Sequence, residues 1–389
     1  METESLSLDI ISTLPDNIIE SILSLMPIRD ALRTSILSKR WQYCWQNMPK
    51  LEFTNDMVKG PYTCGCTHFR KCKSINAIFH VLLLHNGPTT IKLDWSGREL
   101  EMFPEFDQII NCLPSQNNMK ELILSFRNGY YMLPLSFFSL QGLECLHLKN
   151  CGFEPPSTFN GFRRLRSLLF MNVVVSSAML QRLLSNCPLL NEISLNGYQK
   201  CQFIARENKF TFVDLFRCAP LIENLDISKY YMKYLCTGGM PHKLSTSPTR
   251  LKYLFLDVCL MEQDEISSII CMIRSSPLLV KIVFMMYDND KPPVRRTPNN
   301  FLDLENYSDL KLDHLETLEI EMFSNLAIEM EFVKLIMAKS AVLKKVQLDL
   351  SDNVCVDEEL KMLRDLVQHP LPRASPSAKL IIQRPKTCL

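Results

Sequence analysis

The chain has 389 residues, long enough for two or more domains or for one elongated repeat array. Its 43 Lys+Arg against 42 Asp+Glu leave a net charge of +1, which argues against a general nucleic-acid or membrane-surface binder; either needs a concentrated basic field. With 47% hydrophobic residues the composition is ordinary for a soluble protein, and no run nears the ~18 to 20 apolar residues that span a bilayer.

The opening METESLSLDI is acidic and lacks a basic segment followed by an apolar stretch, so it does not fit a secretory signal. Fifteen cysteines, scattered without regular pairing, then predict reduced and mostly buried thiols. The expected location is the nucleus or the cytoplasm.

Three short helices are predicted next. Pro15 suits the first turn of a helix, with Thr13 or Ser12 capping just before it. Ile18, Ile19, Ile22, Leu23 and Met26 follow at helical spacing, and Pro27 ends that helix. A second helix is expected over 28–37. Ser38 can cap a third, in which Trp41, Cys44, Trp45 and Met48 form one stripe. About 35 residues lie below the ~40-residue size at which domains usually need outside support. The surplus apolar surface must meet either the rest of the chain or another protein.

The string LPDNIIESILSLMPIRDALRTSILSKRWQYCWQNMPKLEF resembles the F-box of plant F-box proteins. The features in common are the Leu-Pro opening, the Ile/Leu helix, a proline-terminated turn, Thr-Ser-x-Leu-Ser-Lys-Arg-Trp, a second Trp and a closing Pro-x-Leu-x-Phe. Asn17 and Ile19 depart from the acidic residue and leucine common in that family. The resemblance implies docking on the adaptor subunit of an SCF (adaptor–cullin–F-box) ubiquitin ligase, and through it on cullin. Carried over residue by residue, the adaptor-facing set is Leu14, Pro15, Ile18, Ile22, Leu23, Leu25, Pro27, Leu37, Ser38 and Trp41. Trp45 could equally pack inward.

From about residue 88 the chain repeats. LECLHLKNC (143–151) and LKYLFLDVC (251–259) share the form Leu-x-x-Leu-x-Leu-x-x-Cys, and looser copies start at 119, 165, 190, 222, 279, 315 and 343. Start-to-start spacings of 22 to 36 residues overlap the 20 to 29 of a leucine-rich repeat and run beyond it, so some units carry insertions. Helical stretches such as SSAMLQRLLSN and EISSIICMIRSS precede Pro-Leu strand entries, which makes each unit a strand plus a helix. A doubly wound α/β domain would want fully apolar strands and Gly-rich turns, but there are only 11 glycines and the strands alternate. The expected fold is therefore α/β: an F-box at 8–54, a linker and first helix at 55–87, an irregular leucine-rich-repeat solenoid at 88–302, and last repeats with a C-terminal unit at 303–386.

Strand alternation sends the leucines inward and the intervening residues to the concave face. Most of those outward residues are polar. Leu169 and Met171, Phe255, and Val283 and Met285 are apolar, and Glu319 and Glu321 concentrate acid. These seven are the expected substrate-binding residues, the acids selecting a basic partner region; a loop covering them is the alternative. The segment 329–382, with Ser-Ala-Val-Leu-Lys-Lys and Pro-Arg-Ala-Ser-Pro-x-Ala, is similar to the FBD domain that follows such repeats in plant F-box proteins. His369-Pro370-Leu371-Pro372 is extra relative to that pattern. Physically it reads as a final repeat plus a cap.

CGCTHFRKC (64–72) places Cys64, Cys66, His68 and Cys72 close together, but the spacing is poor for a structural zinc site, and no metal is expected. KPPVRRTP (291–298) reads as a solvated basic loop. No phosphate-binding loop, H-E-x-x-H or nucleophile elbow is present, so neither a catalytic site nor a cofactor is expected. The sequence points to a non-catalytic substrate receptor that holds a protein for ubiquitination and proteasomal degradation. The alternatives are a small-molecule (hormone) sensor, for which only scattered His147, Lys149 and Arg166 could line a pocket, and a non-degradative interaction scaffold.

Overall fold

Two prolines set the first helices of the computed structural model, which describes residues 10–54, 67–96, 105–115, 118–197, 210–237, 241–244, 248–287, 307 and 309–384. After α1 (Ile10–Thr13), Pro15 and Pro27 occupy the N-cap positions of α2 (Asp16–Ser24) and α3 (Ile28–Arg33). No side chain caps either helix. Instead the Pro15 carbonyl accepts from the N–H groups of Ile18 and Ile19, and the Pro27 carbonyl from those of Asp30 and Ala31. The expected caps from Ser12 and Thr13 are thus replaced by prolines whose fixed φ, −57° in both, starts the helix without them.

The second helix is shorter than expected and passes into a 3-10 turn, Thr34–Ile36. The third element, Trp41–Asn47, is a 3-10 helix throughout. Trp41, Trp45 and Met48 are nonetheless all buried, as are Ile19, Leu23, Ile28 and Ala31. The F-box runs directly into β1 (Lys50–Thr54), which pairs in parallel with β2 (Thr90–Ser96) beyond α4 (Thr67–Leu84). Backbone bonds from Asn86 to Gln46 and from Thr89 to Pro49 close this junction, and His85 lies 6.3 Å from Trp45, ring to ring. Trp45 therefore packs inward, on the start of the repeats.

The chain divides into two compact units, Met1–Leu165 with Met171–Val175, and Arg166–Phe170 with Ser176–Leu389. In the first, α5 (Glu105–Cys112) packs on α4, and the parallel sheet continues through β3 (Glu121–Arg127) and β5 (Cys145–Lys149). Short strands β4 (Tyr131–Met132) and β6 (Cys151–Gly152) pair beside it. Asn150 (φ 53°) and Asn172 (φ 53°) take the left-handed conformation that asparagine tolerates better than most residues. The Asn150 side-chain amide donates to the Phe126 carbonyl and its Oδ1 accepts from Asn172, so these asparagines tie successive turns together.

The second unit takes in β7 (Ser167–Met171) up to Phe170, then α6 (Ser177–Ser185), β8 (Glu192–Asn196), α7 (Phe212–Cys218), β9 (Asn224–Ile227), α8 (Lys229–Leu235) and β10 (Tyr253–Val258). It continues through α9 (Gln263–Ser275), β11 (Lys281–Met286), β12 (Thr317–Phe323), α10 (Ala327–Lys339), β13 (Lys345–Leu350), α11 (Val356–Gln368) and β14 (Lys379–Gln383). The strands lie side by side in chain order. Register explains the core: Leu254 pairs with Ile282, Ile282 with Leu318, and Leu318 with Val346, all fully buried. All nine strands expected from the leucine pattern form, from β3 to β13. The insertion containing 291–298 lies outside the described residues.

Glutamates recur where strand passes to helix. Glu265 accepts from the Cys259 N–H, Glu329 from those of Ser324 and Leu326, and Glu358 from that of Cys355. Each carboxylate binds backbone N–H groups at or just before the start of its helix. The C-terminal unit expected after the last repeat is one more helix and strand, α11 and β14, and several of its apolar side chains stay partly exposed.

Candidate interaction surfaces

The F-box separates its apolar residues into two sets. Leu23 (0% exposed) and Trp41 (3%) are enclosed by this chain, with the Trp41 indole N–H donating to the Ile11 carbonyl at 3.1 Å. Their place in the adaptor-facing set is corrected on that ground: they hold α2 and the last 3-10 helix together and leave little area for another protein. The single face expected for Ile18, Ile19, Ile22, Leu23 and Met26 is really two. Ile19 and Leu23 point in, while Ile18 and Ile22 remain 40 and 36% exposed.

Leu25 (87%) and Leu37 (51%) stand outside with them. Pro15 and Pro27 are exposed, and Leu14 is half-buried. Ser38 is half-buried too, and its Oγ is enclosed without a hydrogen-bond partner among the described residues. The sequence reading missed Ile36 (87%) and Tyr43 (59%), which extend the exposed apolar ground. Ile36 lies in the 3-10 turn, where an expected α-helical period gives the wrong face. An Asp16–Arg40 ion pair at 2.6 Å braces this side.

On the open sheet face of the second unit, Phe255, Met285, Glu319 and Glu321 are brought onto the adjoining strands β10, β11 and β12, all half-buried. Val283 is a correction. It occupies an outward register position but is only 3% exposed, closed in by its neighbours, and contributes packing rather than contact area. Leu169 is half-buried on β7, three strands from Phe255. Met171, also half-buried, belongs to the first unit.

The expected acid pair divides as well. Glu319 lies between Lys281 (2.6 Å) and Lys345 (3.0 Å). Burial alone would raise its carboxyl, but the two ammonium groups outweigh that and hold it below the ordinary range. Glu319 is therefore neutralised within the chain. Glu321 is not: burial, then the carboxylates of Asp349 and Glu319, push its carboxyl up. Burial also raises Asp257, with Asp226 and Glu321 adding to it against the bond from the Lys229 N–H. Tyr253 is raised by burial and by Asp226, Glu319 and Glu321. The net acidic ground is thus Asp226, Asp257, Glu321 and Asp349. A one-residue slip between β12 and β13 at Glu321 and Met322, where Met322 has φ 57°, re-aims this part of the strand.

Cys64 and Cys66 lie outside the described residues, as do the side chains of His68 and Cys72. Among the described residues no cluster of His, Cys, Asp or Glu has metal-binding geometry, and no helix is long and apolar enough to cross a membrane. The ten described cysteines form no disulfide, and burial pushes Cys236 up to about 12, which suits packing rather than reactivity.

An exposed helical ridge ahead of a parallel strand-and-helix array defines a class: an F-box protein with leucine-rich repeats. Comparison with known families agrees. The F-box domain matches residues 11–53, the LRR repeats of FBD-associated F-box protein At5g56370 match 110–215, and the FBD matches 312–348. The FBD match begins before, and ends well short of, the 329–382 expected from sequence. F-box/FBD/LRR-repeat protein At1g13570 of Arabidopsis thaliana is 30% identical over 418 residues, covering 96% of this chain and 98% of that protein. F-box/FBD/LRR-repeat protein At5g56420 of the same plant is 24% identical over 437 residues, covering 96% and 98%. The chain belongs to the plant F-box/FBD/LRR-repeat family. A Leptospira interrogans LRR protein of solved structure aligns with 79% of this chain and 97% of its own at 11% identity, with a TM-score of 0.26, too low to bear on the fold.

Proposed function

We propose that this protein is the substrate-recognition subunit of an SCF-type ubiquitin ligase. The F-box docks on the adaptor and, through it, on cullin; the repeats hold a protein for ubiquitination and degradation. The observation that carries the reading is the apolar ridge of the F-box, with Leu25 and Ile36 each 87% exposed beside Ile18, Ile22 and Leu37. A ridge of that composition fits a protein interface better than solvent. Family membership supports the same reading, since F-box and repeat domains bind rather than catalyse. Ubiquitin transfer would come from other subunits, with this chain raising the local concentration of an acceptor lysine. Such a receptor works in the nucleus or the cytoplasm.

For the substrate, the reading is the open face of β9 to β13, where Phe255 and Met285 lie beside the carboxylates of Asp257, Glu321 and Asp349. A basic, partly apolar segment complements it. The test is co-purification with the adaptor. Leu14→Ala combined with Pro15→Ala is expected to remove most adaptor binding, because central anchors contribute about 2 kcal/mol or more each. Undiminished co-purification of that variant would refute adaptor docking by this surface. Proximity labelling with and without proteasome inhibition, repeated with Glu321→Lys, is expected to lose the stabilised partners in the variant.

A further inference from the structure

Among the described residues, nothing covers the outer side of the last helix and strand of the second unit. α11 buries only Met362, while Val356, Leu360, Leu363 and Val367 are 59, 45, 37 and 81% exposed. At steps of four, three and four residues they form one stripe along the helix. β14 is the last strand of its sheet. Its Leu380 and Ile382 pair in register with the buried Val346 and Leu348 yet are only half-buried themselves. The Lys379 N–H donates to the Lys344 carbonyl at 3.0 Å. Strand alternation therefore turns the N–H and C=O groups of Leu380 and Ile382 to the other side, where no strand pairs with them among the described residues. Repeat arrays normally end in a polar layer, and sheets normally blunt a free edge with charge, a bulge or proline. This end carries an apolar stripe on α11 and an unbulged edge strand.

We propose that this end is an interface between two copies of the chain, joined about a two-fold axis by antiparallel pairing of β14 and contact between the α11 helices. The choice of a second copy rests on self-complementarity. Reversing the α11 stripe about its midpoint returns the same pattern, setting Val356 against the partner's Val367 and Leu360 against the partner's Leu363. Reversing β14 about Ile381 sets Leu380 against the partner's Ile382 and Lys379 against the partner's Gln383. Within β14 no like charges oppose each other. An isologous interface requires that self-match, whereas an unrelated partner would not impose it on a helix and a strand together. A five-residue strand edge and one helix face lie near the low end of the ~800 Å² per partner of stable complexes, so the pair is reversible, with a Kd of about micromolar order.

Sedimentation equilibrium of the full chain is expected to show reversible association from the 45.0 kDa chain to a species of twice that mass. Leu360→Glu combined with Leu363→Glu should raise the dimer Kd about tenfold or more. Ile382→Pro should do the same, since it deletes an outward N–H and no bond to β13. Melting curves check that both variants stay folded. Ile381→Cys supplies the geometric arm: it would face its own copy at a non-hydrogen-bonded pair, where Cα atoms lie about 4.5 Å apart and a disulfide can form. Mild oxidation and peptide mapping should find a 381-to-381 cross-link. A chain that stays monomeric at about 100 μM, a dimer indifferent to both substitutions, or a dimer without that cross-link would overturn the proposal.

Discussion

Leu25→Asp and Trp41→Ala should separate the two kinds of apolar residue in the F-box. Leu25 follows α2 with 87% of its surface exposed, so the folded chain gains almost nothing from it. A change there should move stability by no more than about 0.5 kcal/mol. If an adaptor covers Leu25, losing a leucine's burial forfeits about 1.5 to 3 kcal/mol, roughly a 10- to 150-fold loss of affinity. A carboxylate left unpaired in the interface deepens that loss. Trp41 is the reverse case. It is 3% exposed and bonded through its indole to Ile11, so truncation should cost about 3 to 5 kcal/mol of stability. The assay is calorimetric titration of each variant with the adaptor, alongside a thermal melt. Wild-type affinity for Leu25→Asp, or weakened binding by Trp41→Ala at an unchanged melting temperature, would refute this division.

Asn150→Ala should cost about 3 to 4 kcal/mol, combining a left-handed backbone penalty of about 1 to 2 with two side-chain hydrogen bonds of about 1 each. Asn150→Gly should cost only about 2, and equal urea midpoints for the two would contradict the backbone argument. Asp257 and Glu321 have carboxyl pKa values raised by folding, so the folded chain holds their protons more tightly than the unfolded chain. The stability this gives is present below the unfolded value and is lost as pH rises through the folded one. Asp257→Asn and Glu321→Gln should therefore raise the melting temperature at neutral pH, with the gain gone near about pH 3. A gain of equal size at both pH values in scanning calorimetry would contradict it.

The repeats were legible because they obey one rule. A leucine at every second strand position, repeated each turn, fixes both the strand and its buried face, as Leu254, Ile282 and Leu318 show in register. The F-box was legible as a motif but not in its geometry. Helical periodicity cannot tell which of two adjacent apolar residues faces the core, so Ile18 and Ile19 look alike until the packing of Trp41 and Leu23 decides. Charge was harder still. Glu319 and Glu321 are equivalent along the strand, and only Lys281 and Lys345, at the start of the two neighbouring strands, compensate the charge of one and leave the other without a cation of its own. The open end at β14 was hidden because a final repeat reads like any other; only exposure reveals that nothing stacks on it among the described residues.

The most direct measurement is amide hydrogen exchange of the full chain with and without the SCF adaptor. Docking through the exposed ridge predicts new protection at residues 14–26 and 34–38, and little change over 41–48, where Trp41 and Trp45 are already enclosed. Unchanged exchange across 14–38 at saturating adaptor, or protection confined to the repeats, would contradict it.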